Sequence, residues 1–272
     1  MRTARLLVID PQNDFLDIAG AALPVPGANA DMQRTAALLD ALGARLTDLV
    51  LTLDSHASYG VERSSFWLDA QGQEVAPFTQ ISAADVMAGR FLPRAGEALQ
   101  SQVLHYLQAL EAGGKYTLMV WPVHCVLGTW GHNIHAGLAQ AVARWEGRCA
   151  QVAMRVLKGR NPMTEQYSAL RAEVPRADDP STQMNENLLA RLLDGSGPLL
   201  VAGEALSHCV AATMRDAVER MTPQQRAGTV LLSDCMSPVA GFEAAGQDFL
   251  RQALADGVQV LTAAQALEQL GL

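Results

Sequence analysis

Short runs of branched apolar residues alternate along the chain with longer segments whose apolar positions recur at helical spacing. Six runs predict β-strands, at residues 4–10, 48–54, 115–121, 151–157, 197–203 and 228–234. The remaining periodic segments predict helices near residues 30–45, 94–113, 132–146, 162–172, 185–194, 207–221, 241–256 and 262–270. Because the strand runs are apolar with little alternation, we expect both of their faces to be buried. The pattern predicts a three-layer α/β/α fold around a central, mostly parallel six-stranded sheet.

Two segments between these elements are unusually long connections, at residues 55–93 and 173–184. Both are rich in Pro, Gly, Ser and Asp, and connections of this length are commonly lids, binding loops or disordered segments. The first, with its Phe66, Trp67, Phe78 and Phe91, is too aromatic for a plain linker. With no internal repeat and no low-complexity linker, we expect one domain over residues 1–272 that carries these two segments as long loop insertions.

Composition narrows the partners that this fold can have. A chain of 272 residues can bury a sizeable core. Its net charge of −8 leaves no broad basic surface, which argues against binding nucleic acid through phosphates. The apolar runs fall short of the roughly 20 residues that span a bilayer, and the N-terminus shows no signal-peptide pattern, so we expect no membrane partner. Four scattered cysteines without CxxC spacing favour a reducing, cytoplasmic setting.

Polar residues fall where the predicted strands end. In a parallel sheet, ligands bind at the carboxyl ends of the strands. The groups that the pattern brings to this edge are Asp10, Asp54, Trp121 with His124 just beyond it, Lys158, and the turn at residues 203–209. Taken singly, an aspartate caps a helix, a lysine is solvated, and a cysteine at a helix start is inert core, as we expect for Cys125, Cys149 and Cys235. Their convergence favours a reactive site.

Five sequence motifs resemble, in order, those of the isochorismatase-like cysteine hydrolases, and among these the nicotinamidases. They are VIDPQNDF (8–15), LDSH (53–56), WPVHCVLGTWG (121–131), LKGRNP (157–162) and GEALSHCVAATMRDA (203–217). The resemblance runs through most of the chain. It implies an isochorismatase-like fold with Rossmann-like layering and a hydrolase that acts on linear amide bonds.

The resemblance implies a catalytic triad of Asp10, Lys158 and Cys209. Cys209 would attack an amide carbonyl, and Asp10 would carry the proton from the thiol to the departing ammonia. We expect Lys158 and the helix start near Ser207 to favour the thiolate. The family also implies an oxyanion hole formed by the backbone N–H groups of Ala205 and Cys209, with a cis peptide bond just before Ala205.

A divalent metal site is predicted at Asp54, His56 and His124. Asp-x-His places two ligands on one turn. Oxygen and imidazole donors suit zinc, which is the leading candidate, and also iron or manganese. Such an ion could hold the pyridine nitrogen of nicotinamide while the carboxamide faces the nucleophile. Phe15 and Trp121 would then flank the ring as substrate-binding residues, although Phe15 also fits a plain core position.

The chain departs from the nicotinamidase pattern at two places. Where many members have a second histidine before Ser-Phe, it reads ASYGVERSSFW, and we expect Glu62 to be an exposed loop residue rather than a fourth ligand. Leu206 and Ser207 stand where the family has Thr and Asp, beside the nucleophile.

These departures leave the substrate open. A small-molecule amide of the nicotinamide type is the leading prediction, with carbamoyl or ureido compounds as the alternative. Isochorismatase chemistry on a vinyl ether is disfavoured by Cys209, and a non-catalytic binding role is disfavoured by the intact triad. Because family members often self-associate, the resemblance also implies a homo-oligomer.

Overall fold

The structure is a computed structural model that describes residues 2–272. Its strands are β1 (Ala4–Ile9), β2 (Leu46–Asp54), β3 (Trp67–Asp69), β4 (Gln80–Ile81), β5 (Phe91–Pro93), β6 (Leu118–Met119), β7 (Met154–Lys158), β8 (Leu199–Gly203), β9 (Thr229–Leu232) and β10 (Gln259–Leu261). Its α-helices are α1 (Ala28–Leu42), α2 (Ala83–Met87), α3 (Glu97–Ala112), α4 (Ala136–Cys149), α5 (Glu186–Asp194), α6 (Ala211–Arg220), α7 (Pro223–Ala227), α8 (Glu243–Ala255) and α9 (Ala263–Gln269).

Six strands form one central sheet in the order β10-β9-β8-β1-β2-β7, and every pairing in it is parallel. Helices flank this sheet, and the prediction of a layered α/β fold is confirmed. All residues of β1 and β8 are buried, as expected for strands covered on both faces. The register pairs Asp54 with Lys158 and Ile9 with Gly203, so the polar residues at these strand ends lie at one edge.

The membership of the sheet differs from the prediction at one strand. The segment 115–121 contributes only β6, which pairs with β4 in a separate antiparallel ribbon. Its backbone is satisfied elsewhere: the N–H of Val120 donates to Thr79, and that of Trp121 donates to Glu62. The sixth strand of the sheet is β10, which occupies the short gap between two predicted helices.

The predicted helix at 162–172 is wrong. This segment has neither helix nor strand, because polar side chains compete for its backbone N–H groups. Asn161 accepts from the N–H of Met163, and Ser168 accepts from the N–H of Leu170. The segment folds against the carboxyl edge of the sheet and lies beside Lys158, whose Nζ donates to the carbonyl of Gln166 at 3.1 Å.

The segment 55–93 is more ordered than the expected loop. It contains β3, β4, α2 and β5. Together with α3 and β6 it builds a second apolar cluster, separate from the main core and centred on buried Phe66 and Trp67. The segment 173–184 has only a short 3₁₀ turn, Pro180–Thr182, and fits the expected loop. No helix of the described residues is long and apolar enough to cross a membrane, and the four cysteines are free thiols.

Candidate active site

Lys158 lies at the centre of a buried polar cluster at the carboxyl edge of the sheet. Its side-chain nitrogen is 3.0 Å from Asp10 Oδ2, 2.9 Å from Asp54 Oδ1 and 3.4 Å from the sulfur of Cys209. Only 2% of Lys158 is exposed. Burial lowers the pKa of Lys158, but the charges of Asp10 and Asp54 outweigh it and raise the pKa well above its usual value. Lys158 is therefore a permanent cation between two carboxyl groups and a thiol.

Asp10 follows β1 in a left-handed backbone conformation, with φ of 44°. Thr52 fixes its carboxyl group, because the threonine hydroxyl donates to Asp10 Oδ1 at 2.6 Å. Burial raises the pKa of Asp10, and the nearby Lys158 only partly offsets this. A carboxylate with a raised pKa is a stronger base than an exposed one, which suits a group that must accept a proton from a thiol.

Cys209 lies in a π-helical turn, Leu206–Val210, that leads into α6. The structure contradicts the expectation that its surroundings favour the thiolate. Burial raises the pKa of the thiol, and Asp10 and Asp54 raise it further, so that Lys158 does not bring it below its usual value. The resting site therefore holds a neutral thiol beside its base, and the sulfur can lose its proton during attack.

Two glycines allow the backbone to pack closely around these groups. Gly203 ends β8 at φ +124°, and a Cβ there would lie 2.0 Å from the Ile9 carbonyl. Gly159 has φ +75°, and a Cβ there would lie 2.7 Å from His56 Cε1 and 2.9 Å from Asp54 Oδ1. Any larger residue at either position would displace the site, which explains the Lys-Gly pair at 158–159.

The turn after β8 carries the two predicted oxyanion donors. The peptide bond between Glu204 and Ala205 is cis, as the resemblance implied. Ala205 lines the cavity that contains Cys209, and no described residue accepts a hydrogen bond from its backbone N–H. Leu206 and Ser207, the two departures from the family pattern, do not line this cavity, whereas His208 does.

The predicted metal ligands meet on the far side of Asp54 from Lys158. Asp54 Oδ2 lies 2.8 Å from His56 Nε2 and 3.4 Å from His124 Nε2. One ligand atom from each of these three buried residues lies within 4.8 Å of the others. Burial lowers the pKa of both histidines, to about 4 for His124, so they are neutral and can donate lone pairs. This cluster could hold a metal ion.

Neighbouring acidic side chains test whether a cation fits there. Glu62 is 3% exposed, so the expectation of an exposed loop residue is wrong. Its Oε1 lies 3.4 Å from His56 Nδ1, on the side of the ring away from Asp54. Burial raises the pKa of Glu62 and of Glu165, and each has an oxygen, Oε2, with no hydrogen-bond partner among residues 2–272. Unsatisfied buried carboxyl oxygens beside neutral imidazoles suit a divalent cation.

Phe15 and Trp121 line the same cavity as Cys209, His124 and Asp54. The Phe15 ring lies 5.3 Å from that of His124. Phe15 and Trp121 are both at least 95% buried. The indole N–H of Trp121 donates to the hydroxyl of Tyr167 at 3.0 Å, which fixes the indole plane. The cavity is thus apolar on these walls and polar at Cys209 and Asp54, as a pocket for a flat ring with one polar substituent should be.

Several residues of the site escaped the sequence interpretation. Gln12 clamps the backbone of Asp54: its amide nitrogen donates to the Asp54 carbonyl, and its amide oxygen accepts from the Asp54 N–H at 2.6 Å. Glu165 lines the cavity, and Arg63 lies against His124. Gln12 falls within a quoted motif, and it could have been found by asking which side chain satisfies the backbone at a strand end. Glu165 was missed because its segment, residues 162–172, was wrongly predicted to be a helix.

Comparison of the fold with solved structures gives consistent matches. A nicotinamidase/pyrazinamidase of Acinetobacter baumanii superposes with a TM-score of 0.65 and 20% identity, covering 98% of this chain and 99% of that one. The yeast nicotinamidase bound to the inhibitor nicotinaldehyde gives a TM-score of 0.66 and 21% identity, covering 96% and 100%. An isochorismatase-family protein of Desulfovibrio vulgaris gives 0.56 and 19%, covering the whole of both chains. This chain has the isochorismatase-like fold.

The isochorismatase-like fold is shared here at identities below 25%, so the likeness concerns the fold. No protein-family model and no curated protein sequence matches the chain. A pyrazinamidase of Pyrococcus horikoshii in complex with zinc also superposes, with a TM-score of 0.56 and 18% identity over 95% of this chain and 98% of that one. What this chain does within the fold must be argued from its own side chains.

Proposed function

We propose that this chain is a metal-dependent cysteine amidohydrolase of the nicotinamidase type, which converts nicotinamide to nicotinate and ammonia. One observation carries the proposal: Lys158 joins Asp10, Asp54 and Cys209 in a single buried cluster, and Asp54 also belongs to the Asp-His-His group. Nicotinamidases and pyrazinamidases among the structures of the same fold support it.

The first half-reaction forms a thioester. Cys209 attacks the carboxamide carbon while Asp10 takes the thiol proton, and the carbonyl oxygen becomes an oxyanion held by the N–H groups of Ala205 and Cys209. Asp10 then gives its proton to the amide nitrogen, the C–N bond breaks, and ammonia leaves. Lys158 keeps Asp10 in place and offsets the negative charge that passes between sulfur and carboxylate.

The second half-reaction releases the acid. Asp10, now ionised again, takes a proton from water as the water oxygen attacks the thioester carbon. The C–S bond breaks, the thiol regains its proton from Asp10, and the carboxylic acid leaves. The same carboxyl group therefore works as base and then acid in each half-reaction, which its raised pKa favours.

Asp54, His56 and His124 would hold the metal ion. When bound, a divalent ion supplies a Lewis-acidic position that the pyridine nitrogen of the substrate can occupy. Zinc is the first candidate, because two neutral imidazoles and one carboxylate are a common zinc donor set, and iron or manganese are alternatives. Phe15 and Trp121 would lie against the two faces of the ring.

The test is ammonia release by metal-loaded protein across a panel of nicotinamide, pyrazinamide, aliphatic amides and ureido acids. We expect turnover of the two ring amides and little of the others. Turnover of a ureido acid, with no turnover of either ring amide, would contradict the proposed substrate class. The role of Cys209 as the nucleophile would then still be tested by substitution.

A further inference from the structure

Two buried carboxyl groups, both bound by Ser237, lie directly behind the turn that carries Ala205. Glu204 precedes Ala205 in the chain and is fully buried, and Asp31 lies in the first turn of α1 at 2% exposure. Burial, together with the neighbouring carboxylate of Asp31, raises the pKa of Glu204 well above its usual value. Two buried carboxyl groups bound by the same residue cannot both be ionised cheaply, so one of them keeps a proton.

The cationic and hydroxyl donors at this place bind Asp31, so the proton is held by Glu204, whose pKa is raised. Arg34 forms an ion pair with Asp31 Oδ1, and the hydroxyl of Ser237 donates to Asp31 Oδ2 at 2.5 Å. Glu204 has no cationic partner among the described residues, and Asp17 is a further negative charge near it. Glu204 Oε1 also has no N–H or O–H donor among them.

Ser237 connects this pair to the turn beside the nucleophile. Its backbone N–H donates to Glu204 Oε2 at 3.2 Å, and its carbonyl accepts from the N–H of Leu206 at 2.8 Å. The backbone N–H of Glu204 itself donates to the Ile9 carbonyl at 2.8 Å. Ala205 therefore lies between Glu204, whose backbone is bound to the end of β1, and Leu206, whose backbone is bound to Ser237. Ser237 in turn binds both carboxyl groups.

Stability does not explain a buried carboxyl pair at this place. Burying these polar groups carries a desolvation cost that an apolar residue of similar size would avoid. The hydrogen bonds of the pair instead fix one backbone segment, and that segment carries the predicted oxyanion donor.

We propose that the buried carboxyl pair of Glu204 and Asp31, held together by Ser237, positions the Ala205 backbone N–H in the oxyanion hole. The inference rests on the proposed function, because it makes both residues positioning residues for that reaction. The proposal has a consequence for the pH dependence. Loss of the Glu204 proton would place a second negative charge beside Asp31 and push the turn away from it. Catalysis would then fall at alkaline pH for a reason separate from the triad.

Two substitutions at one position separate the hydrogen bonds from the proton. In Glu204→Gln, the amide group can donate to Asp31 and accept from the Ser237 N–H, but it cannot titrate. Glu204→Leu removes both hydrogen bonds at similar volume. Glu268→Gln, at an exposed position on α9, is the matched control for the same chemical change. Each protein is loaded with zinc and assayed for ammonia release from nicotinamide, and its free energy of unfolding in urea is measured from about pH 6 to about pH 10.

We expect Glu204→Gln to keep kcat within about threefold at pH 7 and to lose part of the alkaline decline of the wild type. Glu204→Leu should lower kcat at least about tenfold with KM within about threefold, since an oxyanion donor acts in the transition state. For stability, a raised folded-state pKa means that the unfolded chain releases its proton first, so this contribution is lost as pH rises toward the folded pKa. Glu204→Gln should therefore gain stability relative to wild type as pH rises, whereas Glu268→Gln should not.

The inference is overturned if Glu204→Leu folds and keeps wild-type kcat. It is also overturned if Glu204→Gln and the wild type show the same dependence of unfolding free energy on pH, and this comparison stands even if Glu204→Leu fails to fold. If the wild type released no ammonia from nicotinamide, the proposed function and the positioning role would both be wrong. The unfolding comparison would then still decide whether the carboxyl pair holds a proton, because it needs no substrate.

Discussion

The Lys158 nitrogen lies 3.4 Å from the Cys209 sulfur, but it lies closer to two carboxyl oxygens, 3.0 Å from Asp10 and 2.9 Å from Asp54. The charge of Lys158 is therefore already balanced by two carboxyl groups. Burial and negative charge affect the pKa of Cys209 more than Lys158 does. For this reason the pKa of Cys209 is raised rather than lowered. Because a thiolate is disfavoured in the resting site, the reactivity of Cys209 depends on a base beside the thiol, Asp10.

This arrangement predicts that Asp10→Asn separates thiol ionisation from turnover. Removing a negative charge beside the sulfur should lower the pKa of Cys209, so alkylation by iodoacetamide at pH 8 should become faster than in the wild type. Ammonia release should fall by at least about a thousandfold, because the general base is lost. The two rates are measured on the same protein, by mass spectrometry of the labelled peptide and by ammonia assay. Slower alkylation in Asp10→Asn would contradict the assigned charge balance.

Replacing Lys158 should damage stability as well as activity. In Lys158→Met, Asp10 and Asp54 lose their shared buried cation, and breaking such a pair costs about 3–5 kcal/mol of unfolding free energy. The matched control is Lys115→Met, because Lys115 is 44% exposed and lies 3.8 Å from Asp216. That change should cost less than about 1 kcal/mol. Urea unfolding at pH 7 measures both, and equal losses in the two variants would rule out a central role for Lys158.

The Asp-His-His cluster predicts about one divalent ion per chain after metal loading and desalting. His56→Ala should abolish this stoichiometric binding, because it removes one of the three clustered ligands. His105→Ala is the control, since His105 is exposed on α3 and outside the cluster. Elemental analysis of the three proteins gives the answer. A wild-type protein that stays metal-free, or a His56→Ala variant that binds as the wild type does, would eliminate the site.

The sequence predicted the fold where periodicity and burial agree, as in β1, β2 and β8. It failed at residues 162–172, where Asn161 and Ser168 bind the backbone locally, and at β6, which pairs with β4 and does not join the central sheet. Periodicity shows neither effect, because the first is a local competition of side chains for backbone N–H groups and the second depends on a contact between distant segments.

The candidate site followed the same division. Strand ends and motifs predicted the residues that the structure gathers around Lys158. The burial of Glu62, the cavity position of Glu165 and the contact of Glu204 with Asp31 needed coordinates, since the burial of a carboxyl group cannot be read from its neighbours in sequence. The raised pKa of Cys209 also needed them, because it depends on two carboxylates from other strands.

One measurement tests the central claim most directly: ammonia release from nicotinamide by zinc-loaded wild type, Cys209→Ala and Cys149→Ala. Cys149 is the matched control, a half-buried free thiol at the end of α4, away from the site. The account predicts turnover by the wild type and Cys149→Ala, and a loss of at least about a thousandfold in Cys209→Ala with its thermal unfolding little changed. Ammonia release that persists in folded Cys209→Ala would contradict it, as would a metal-loaded wild type that leaves nicotinamide intact.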